Sequence, residues 1–183
     1  MSETLRIVLA GFGGQGVLFG GKVIAMTGLL EDRQVSWLPS YGPEMRGGTA
    51  NCNVTLSDDP IGSPLVLDPN VLIALNEPSF LKFEESVVPG GIIIADSTMV
   101  KSMPTRTDVT CVRIPATKMA EDAGLKGLAN IVLVGSLYAE KHFCERETLD
   151  KAIDAVVPAR KAAMVEKNKQ ALELGSSFVA DKA

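Results

Sequence analysis

Residues 5–16 read Leu-Arg-Ile-Val-Leu-Ala-Gly-Phe-Gly-Gly-Gln-Gly, an apolar run that stops at Gly11 and opens a loop of pattern G-x-G-x-x-G. A strand feeding such a loop, with a helix behind it, points backbone N–H groups out of the helix N-terminus, where an anion is favoured. In that pattern Gly11 permits the tight turn, Gly13 allows close approach of a ligand to the backbone, and Gly16 lets the helix pack on the strand. A loop whose glycines serve packing alone is the competing reading.

The rest of the chain has the texture that this loop requires. Leu5–Ala10 is apolar on both faces, as a central parallel strand is. Val17–Leu30 reads as a helix whose Gly20, Gly21 and Gly28 weaken its propensity but allow close approach to a sheet. Further strands are expected at Gln34–Leu38, Ala50–Ser57, Val71–Leu75, Ile92–Ala95 and Val109–Ile114, with a short helix at Ser79–Val88. After Pro115, helical spacing dominates: Ala116–Ala123, Ala129–Phe143, Glu147–Val156 and Ala159–Leu174. Alternating strands and helices followed by a helical C-terminal third imply a Rossmann-like α/β fold, doubly wound on a mostly parallel sheet, as one domain over residues 1–183.

Ordinary dinucleotide binding does not follow. A ribose needs an acidic residue about 20 positions after the loop, at the carboxyl end of the second strand. Here that strand ends in Leu38-Pro39-Ser40-Tyr41, and Glu31 and Asp32 lie at its wrong end. No G-K-[ST] of a nucleotide-hydrolysing loop, no G-x-S-x-G and no histidine-centred triad occurs. The segment Tyr41–Thr49 leaves the same sheet edge and offers Arg46, the flexible Gly47 and Gly48, and the Tyr41 ring and hydroxyl. Arg46 can fork onto a phosphate, onto a partner's carboxylate, or onto its own neighbour Glu44. Asn76-Glu77 and Asp96-Ser97-Thr98 close other strands at that rim, where capping of the following helices is the favoured role.

Composition removes other classes. A net charge of −4 without a basic block argues against nucleic acid, and no apolar stretch approaches the ~18 residues of a membrane span. With no secretory pattern at the N-terminus, a cytoplasmic location is expected. Cys52, Cys111 and Cys144 are widely spaced, with no C-x-x-C, so a zinc ribbon or an iron–sulfur cluster in this chain is unsupported. His142, the sole histidine, falls late in a helical pattern and suits a helix end or packing.

Taken together, Ala10–Gly16, Tyr41–Gly48 and the Asn51–Leu56 strand closely resemble the gamma subunit of 2-oxoacid:ferredoxin (acceptor) oxidoreductases. The likeness extends through Asn76, the Pro-Gly-Gly turn into Asp96-Ser97, and Asn130, and covers nearly the whole chain. The resemblance implies an oxidoreductase complex that converts a 2-oxoacid and coenzyme A into acyl-CoA and carbon dioxide while reducing ferredoxin. It implies thiamine diphosphate, Mg and iron–sulfur clusters in alpha, beta and delta-type partner subunits, none of them in this chain. By the same resemblance the gamma part packs over the active site and supplies part of the coenzyme A site, is inactive alone, and carries no catalytic residue or metal ligand. Gly11, Gly13, Gly14, Gln15 and Gly16 are then the ligand-binding residues, faced by Tyr41, Arg46, Gly47 and Gly48. Pyruvate, 2-oxoglutarate and ketoisovalerate enzymes all fit, and indolepyruvate oxidoreductases carry a similar domain. A purely structural interaction subunit and an NAD(P) or flavin reductase domain are the alternatives. Apolar surface meant for partners would allow an isolated chain to pair with itself.

Overall fold

The computed structural model describes residues 3–41 and 49–180, the side chains of Tyr41 and Ala180 excepted. The strands are β1 (Leu5–Phe12), β2 (Gln34–Tyr41), β3 (Thr49–Ser57), β4 (Val71–Ala74), β5 (Ile92–Asp96) and β6 (Thr110–Ile114). The helices are α1 (Val17–Leu30), α2 (Glu77–Phe83), α3 (Ala116–Asp122), α4 (Ala129–Lys141), α5 (Arg146–Val156) and α6 (Met164–Ala180). They build one six-stranded sheet in the order β2-β3-β1-β4-β5-β6. β1, β4, β5 and β6 pair in parallel, whereas β3 runs antiparallel to both β1 and β2.

Successive side chains of β1 go to opposite faces, as strand geometry demands. Ile7 and Leu9 join a large core with Val23 and Ile24 of α1, Ile131 and Val134 of α4, Ile153 of α5 and Leu172 of α6. Val8 and Ala10 join a smaller core with Leu72 of β4, Ile93 of β5, Phe80 of α2 and Val87. The sheet is therefore wound on both faces, unequally. The glycines of α1 permit its approach to β2 and β3: a Cβ at Gly28 would lie 2.6 Å from Leu56, and one at Gly21 would strike the Cys52 thiol.

Three elements differ from the sequence reading by more than two residues at an end. β2 continues through Pro39 to Tyr41, because β2 is an edge strand and a proline there removes only a donor that the ladder does not use. The helix expected at Ser79–Val88 begins at Glu77, where the Asn76 side chain accepts from the Ser79 N–H at 2.9 Å, and tightens to a 3-10 turn at Glu84–Ser86. The helix expected at Ala159–Leu174 is a 3-10 turn at Ala159–Lys161 followed by α6. Residues 159–163 are exposed and bury no apolar side chain, so nothing holds them in a helical register.

α6 reaches past Leu174 because it crosses α4 at glycine on glycine. A Cβ at Gly175 would fall on the Val132 carbonyl, and one at Gly135 on the Leu172 carbonyl. His142 ends α4 in a left-handed conformation, φ 42°, donating its N–H to the Tyr138 carbonyl at 2.8 Å. No helix among the described residues is long and apolar enough to cross a membrane.

Candidate functional site

The glycine loop leaves the carboxyl end of β1, the central strand, where the chain turns to one side of the sheet through α1 and later to the other through β4. Such a switch point is where open α/β sheets hold ligands. Gly13 and Gly14 are exposed there. Gly14 has φ 95°, and Gly16, the N-cap of α1, has φ 75°, both in the left-handed region that favours glycine.

The 14-residue α1 starts with no side-chain cap and no acidic residue in its first turn. Its leading N–H groups and the positive end of its dipole are thus left without a protein counter-charge among the described residues. The notch can receive an anion through backbone groups alone.

Three carboxamides shape that notch. Gln15 Oε1 accepts from the Phe12 N–H at 2.6 Å and from Asn76 Nδ2 at 3.0 Å, while Gln15 Nε2 donates to the Leu75 carbonyl at 3.1 Å. Phe12 N–H can only donate and Leu75 C=O can only accept, so these partners fix which way the amide points. The side chain is a rung between the ends of β1 and β4, and it explains Gly11: a Cβ there would sit 2.8 Å from Gln15 Oε1 and 3.0 Å from the Leu75 Cβ. Asn130 Nδ2, from α4, donates to the Gly16 carbonyl at 2.9 Å.

The sequence reading thus locates the loop correctly, with two differences in how its residues are used. Gly16 makes room for Asn130 on α4 and not for the strand; it is Gly20 whose missing Cβ faces Leu9 of β1, at 3.3 Å. Gln15 spends its side-chain oxygen and its backbone N–H inside the loop, the latter on the Phe12 carbonyl at 3.1 Å. Asn130, outside the glycine motif, enters the sequence reading only through the family resemblance and is given no role there; its other signal is that of a polar residue in an otherwise apolar helical run.

Arg46, Gly47 and Gly48 lie outside the described residues, as does the Tyr41 side chain. The described backbone on either side of them stands at this rim, where Tyr41 and Gly11 are both registered against Ala50. The same register explains the missing ribose carboxylate. β3 is wedged between β1 and β2, so the end of β2 stands two strand spacings from β1, about 10 Å. The residues beside the loop are instead Thr49, Ala50 and Asn51, all uncharged.

The other rim groups are structural. Asp96 Oδ1 accepts from Thr98 N at 3.0 Å and its Oδ2 from Thr117 Oγ1 at 2.6 Å, tying β5 to the start of α3. Glu77 accepts from the backbone N–H of Lys101 and Ser102 and from the Ser102 hydroxyl, which hold its carboxyl below the ordinary carboxylate value. Burial pushes the Cys52 thiol up to about 12, and Cys144 likewise to about 12. No group of three or more His, Cys, Asp or Glu side chains among the described residues is placed to hold a metal ion.

Residues 6–178 match the family model described as pyruvate ferredoxin/flavodoxin oxidoreductase. Ketoisovalerate oxidoreductase subunit VorA of Methanothermobacter thermautotrophicus is 39% identical over 175 residues, covering 95% of this chain and 36% of its own length. The chain thus spans about a third of that relative. The gamma subunit of a keto/oxoacid ferredoxin oxidoreductase from Geobacter sulfurreducens superposes with a TM-score of 0.85 at 27% identity, covering 98% of both chains. A 2-oxoglutarate:ferredoxin oxidoreductase from Magnetococcus marinus, with 2-oxoglutarate, coenzyme A and succinyl-CoA bound, shares the fold at a TM-score of 0.86 and 21% identity. That match covers 99% of this chain and 32% of the other.

Proposed function

Since the chain belongs to the pyruvate ferredoxin/flavodoxin oxidoreductase family, we propose that it is the gamma-type subunit of a multi-subunit 2-oxoacid:ferredoxin oxidoreductase. In this reading its glycine loop binds part of coenzyme A and helps close the active site during oxidative decarboxylation of a 2-oxoacid to acyl-CoA. Ketoisovalerate and 2-oxoglutarate are the 2-oxoacids in the names of the relatives it resembles. Thiamine diphosphate, Mg and the iron–sulfur clusters are assigned to alpha, beta and delta-type partners, and ferredoxin to the assembled complex.

The observation that carries the reading is the bare N-terminus of α1 at the switch point, uncapped and without an acidic neighbour in its first turn. A diphosphate fits it: the groups offered are N–H donors, and Gly13 and Gly14 leave the approach open. Packing explains Gly11 and Gly16, and the left-handed backbone explains Gly14. Gly13 is exposed at the mouth of the loop, where glycine lets a ligand approach the backbone closely.

Magnitude argues for a shared site. A helix terminus contributes about 0.3–2 kcal/mol to an anion, whereas a millimolar dissociation constant already takes about 4 kcal/mol. The isolated chain is therefore expected to bind coenzyme A too weakly to measure, with partner subunits and the segment bearing Arg46 supplying the remainder. In the complete complex, Gly13→Val should raise the KM for coenzyme A about tenfold while leaving the KM for the 2-oxoacid unchanged. An unchanged KM for coenzyme A in that complex would remove the loop from the coenzyme site and leave the structural-subunit reading.

A further inference from the structure

Asn130 is a poor residue for the place it occupies. It is 2% exposed, and it is followed on α4 by Ile131, Val132, Leu133 and Val134, all in the large core. Its Oδ1 is buried with no hydrogen-bond partner among the described residues, and it lies 3.3 Å from where a Cβ of Gly16 would stand. The side-chain bond it makes among the described residues, Nδ2 to the Gly16 carbonyl, goes to an oxygen that already accepts from the Gly20 N–H at 3.0 Å. A buried carbonyl without a partner costs stability, and the bond it accompanies rescues no orphaned group. Leucine, of similar size, would suit the helix and the core better. An internally costly polar residue against a ligand loop marks a functional constraint.

We infer that Asn130 is a positioning residue for the coenzyme loop. By gripping the Gly16 carbonyl from α4 it fixes the Gly16 peptide, and with it the direction in which the first N–H groups of α1 point. Asn130 does not touch the ligand, being sealed beneath the loop. Gln15 fixes the opposite end of the same loop at Phe12, so the two amides hold the notch in shape before an anion arrives. The unpartnered Oδ1 is the part of the amide that this arrangement leaves unused. This inference rests on the loop taking part in binding coenzyme A, as proposed above.

The test is Asn130→Leu in the complete complex, with Asn130→Ala beside it because alanine cannot crowd Gly16. Melting temperatures of the full chain, and KM and kcat for both substrates in the complex, are measured. The KM for coenzyme A should rise about tenfold in both variants, the factor that corresponds to about 1.4 kcal/mol. The KM for the 2-oxoacid, and kcat at saturating coenzyme A, should stay within about twofold. Asn130→Leu should melt at or above the wild-type temperature, which a merely structural asparagine would not allow. A KM for coenzyme A within twofold of wild type in either assembled variant overturns the inference. So does a rise in both KM values that tracks a fall in melting temperature, or failure of both variants to fold. Gly13→Val separates the two claims: if it raises the KM for coenzyme A and the Asn130 variants do not, only the positioning role is lost. If none of the three does, the loop assignment itself falls.

Discussion

Replacing Gly16 by alanine perturbs two things whose sizes can be separated. The first is conformational: at φ 75° an L-residue carries a penalty of about 1–2 kcal/mol. The second is steric. The new Cβ would stand 2.6 Å from Asn130 Nδ2 and 2.9 Å from its Cγ. Asn130 is buried and bonded to the Gly16 carbonyl, so it cannot swing aside, and overpacking of this kind costs about 1–3 kcal/mol. Gly14→Ala isolates the first part, because Gly14 has φ 95° and its added Cβ would meet nothing within 4 Å. Gly16→Ala should therefore be the less stable of the two by about 2 kcal/mol, or about 4–8 °C in melting temperature for a chain of this length. Thermal melts of the full chain followed by circular dichroism, with urea midpoints at an unchanged m-value, provide the measurement. Coincident melting temperatures for the two variants would refute the argument, since both sites have positive φ and only Gly16 faces α4.

Other outcomes follow from the same geometry. Gly175→Ala should cost about 3 kcal/mol or more, because its Cβ falls on the Val132 carbonyl and the α4–α6 crossing must open; a urea midpoint equal to wild type would contradict this. Glu77 and Glu84 should respond oppositely to acid. Hydrogen bonds from the Ser102 hydroxyl and the Lys101 N–H lower the Glu77 value, so its contribution is present above the unfolded carboxyl value and lost as pH falls through the folded one. The stability difference between wild type and Glu77→Gln should thus shrink on acidification, and a difference independent of pH would count against it. Burial and the neighbouring Glu85 raise Glu84, whose buried Oε2 lacks a partner, so its charge costs stability above the raised folded value. Glu84→Gln should raise the melting temperature at pH 7, with the gain fading at pH 4; a loss at pH 7 would refute this sign. With Cys52 and Cys144 both pushed up to about 12, native protein at pH 8 should label at these thiols far more slowly than urea-unfolded protein, as peptide mass mapping would read.

Much of the local structure could be read from residue patterns because the causes are local. The glycine turn, the exact span of α1, the Asn76 cap and the helix end at His142 each depend on neighbours within a few residues. The extension of β2 through Pro39 could not be read so, since a proline is tolerated only where the strand lies at an edge, and edges are a property of the sheet. The same holds for Gln15. Its motif position suggests a ligand contact, but its side chain completes a bridge to Leu75 and Asn76, residues about 60 positions away.

From the sequence alone came the elements, the glycine loop and the family resemblance, because hydrophobic period, glycine spacing and turn chemistry are written in consecutive residues. Tertiary structure decided the order of the strands and the use of each loop residue. Nothing in the residues of β3 says that it inserts antiparallel between β1 and β2, and that insertion puts uncharged residues where a ribose carboxylate would stand. Nor does the motif contain Asn130, which reaches Gly16 across 114 positions. Pairing and packing between distant segments are settled by the sum of contacts in the folded chain, and no short stretch of residues carries that sum.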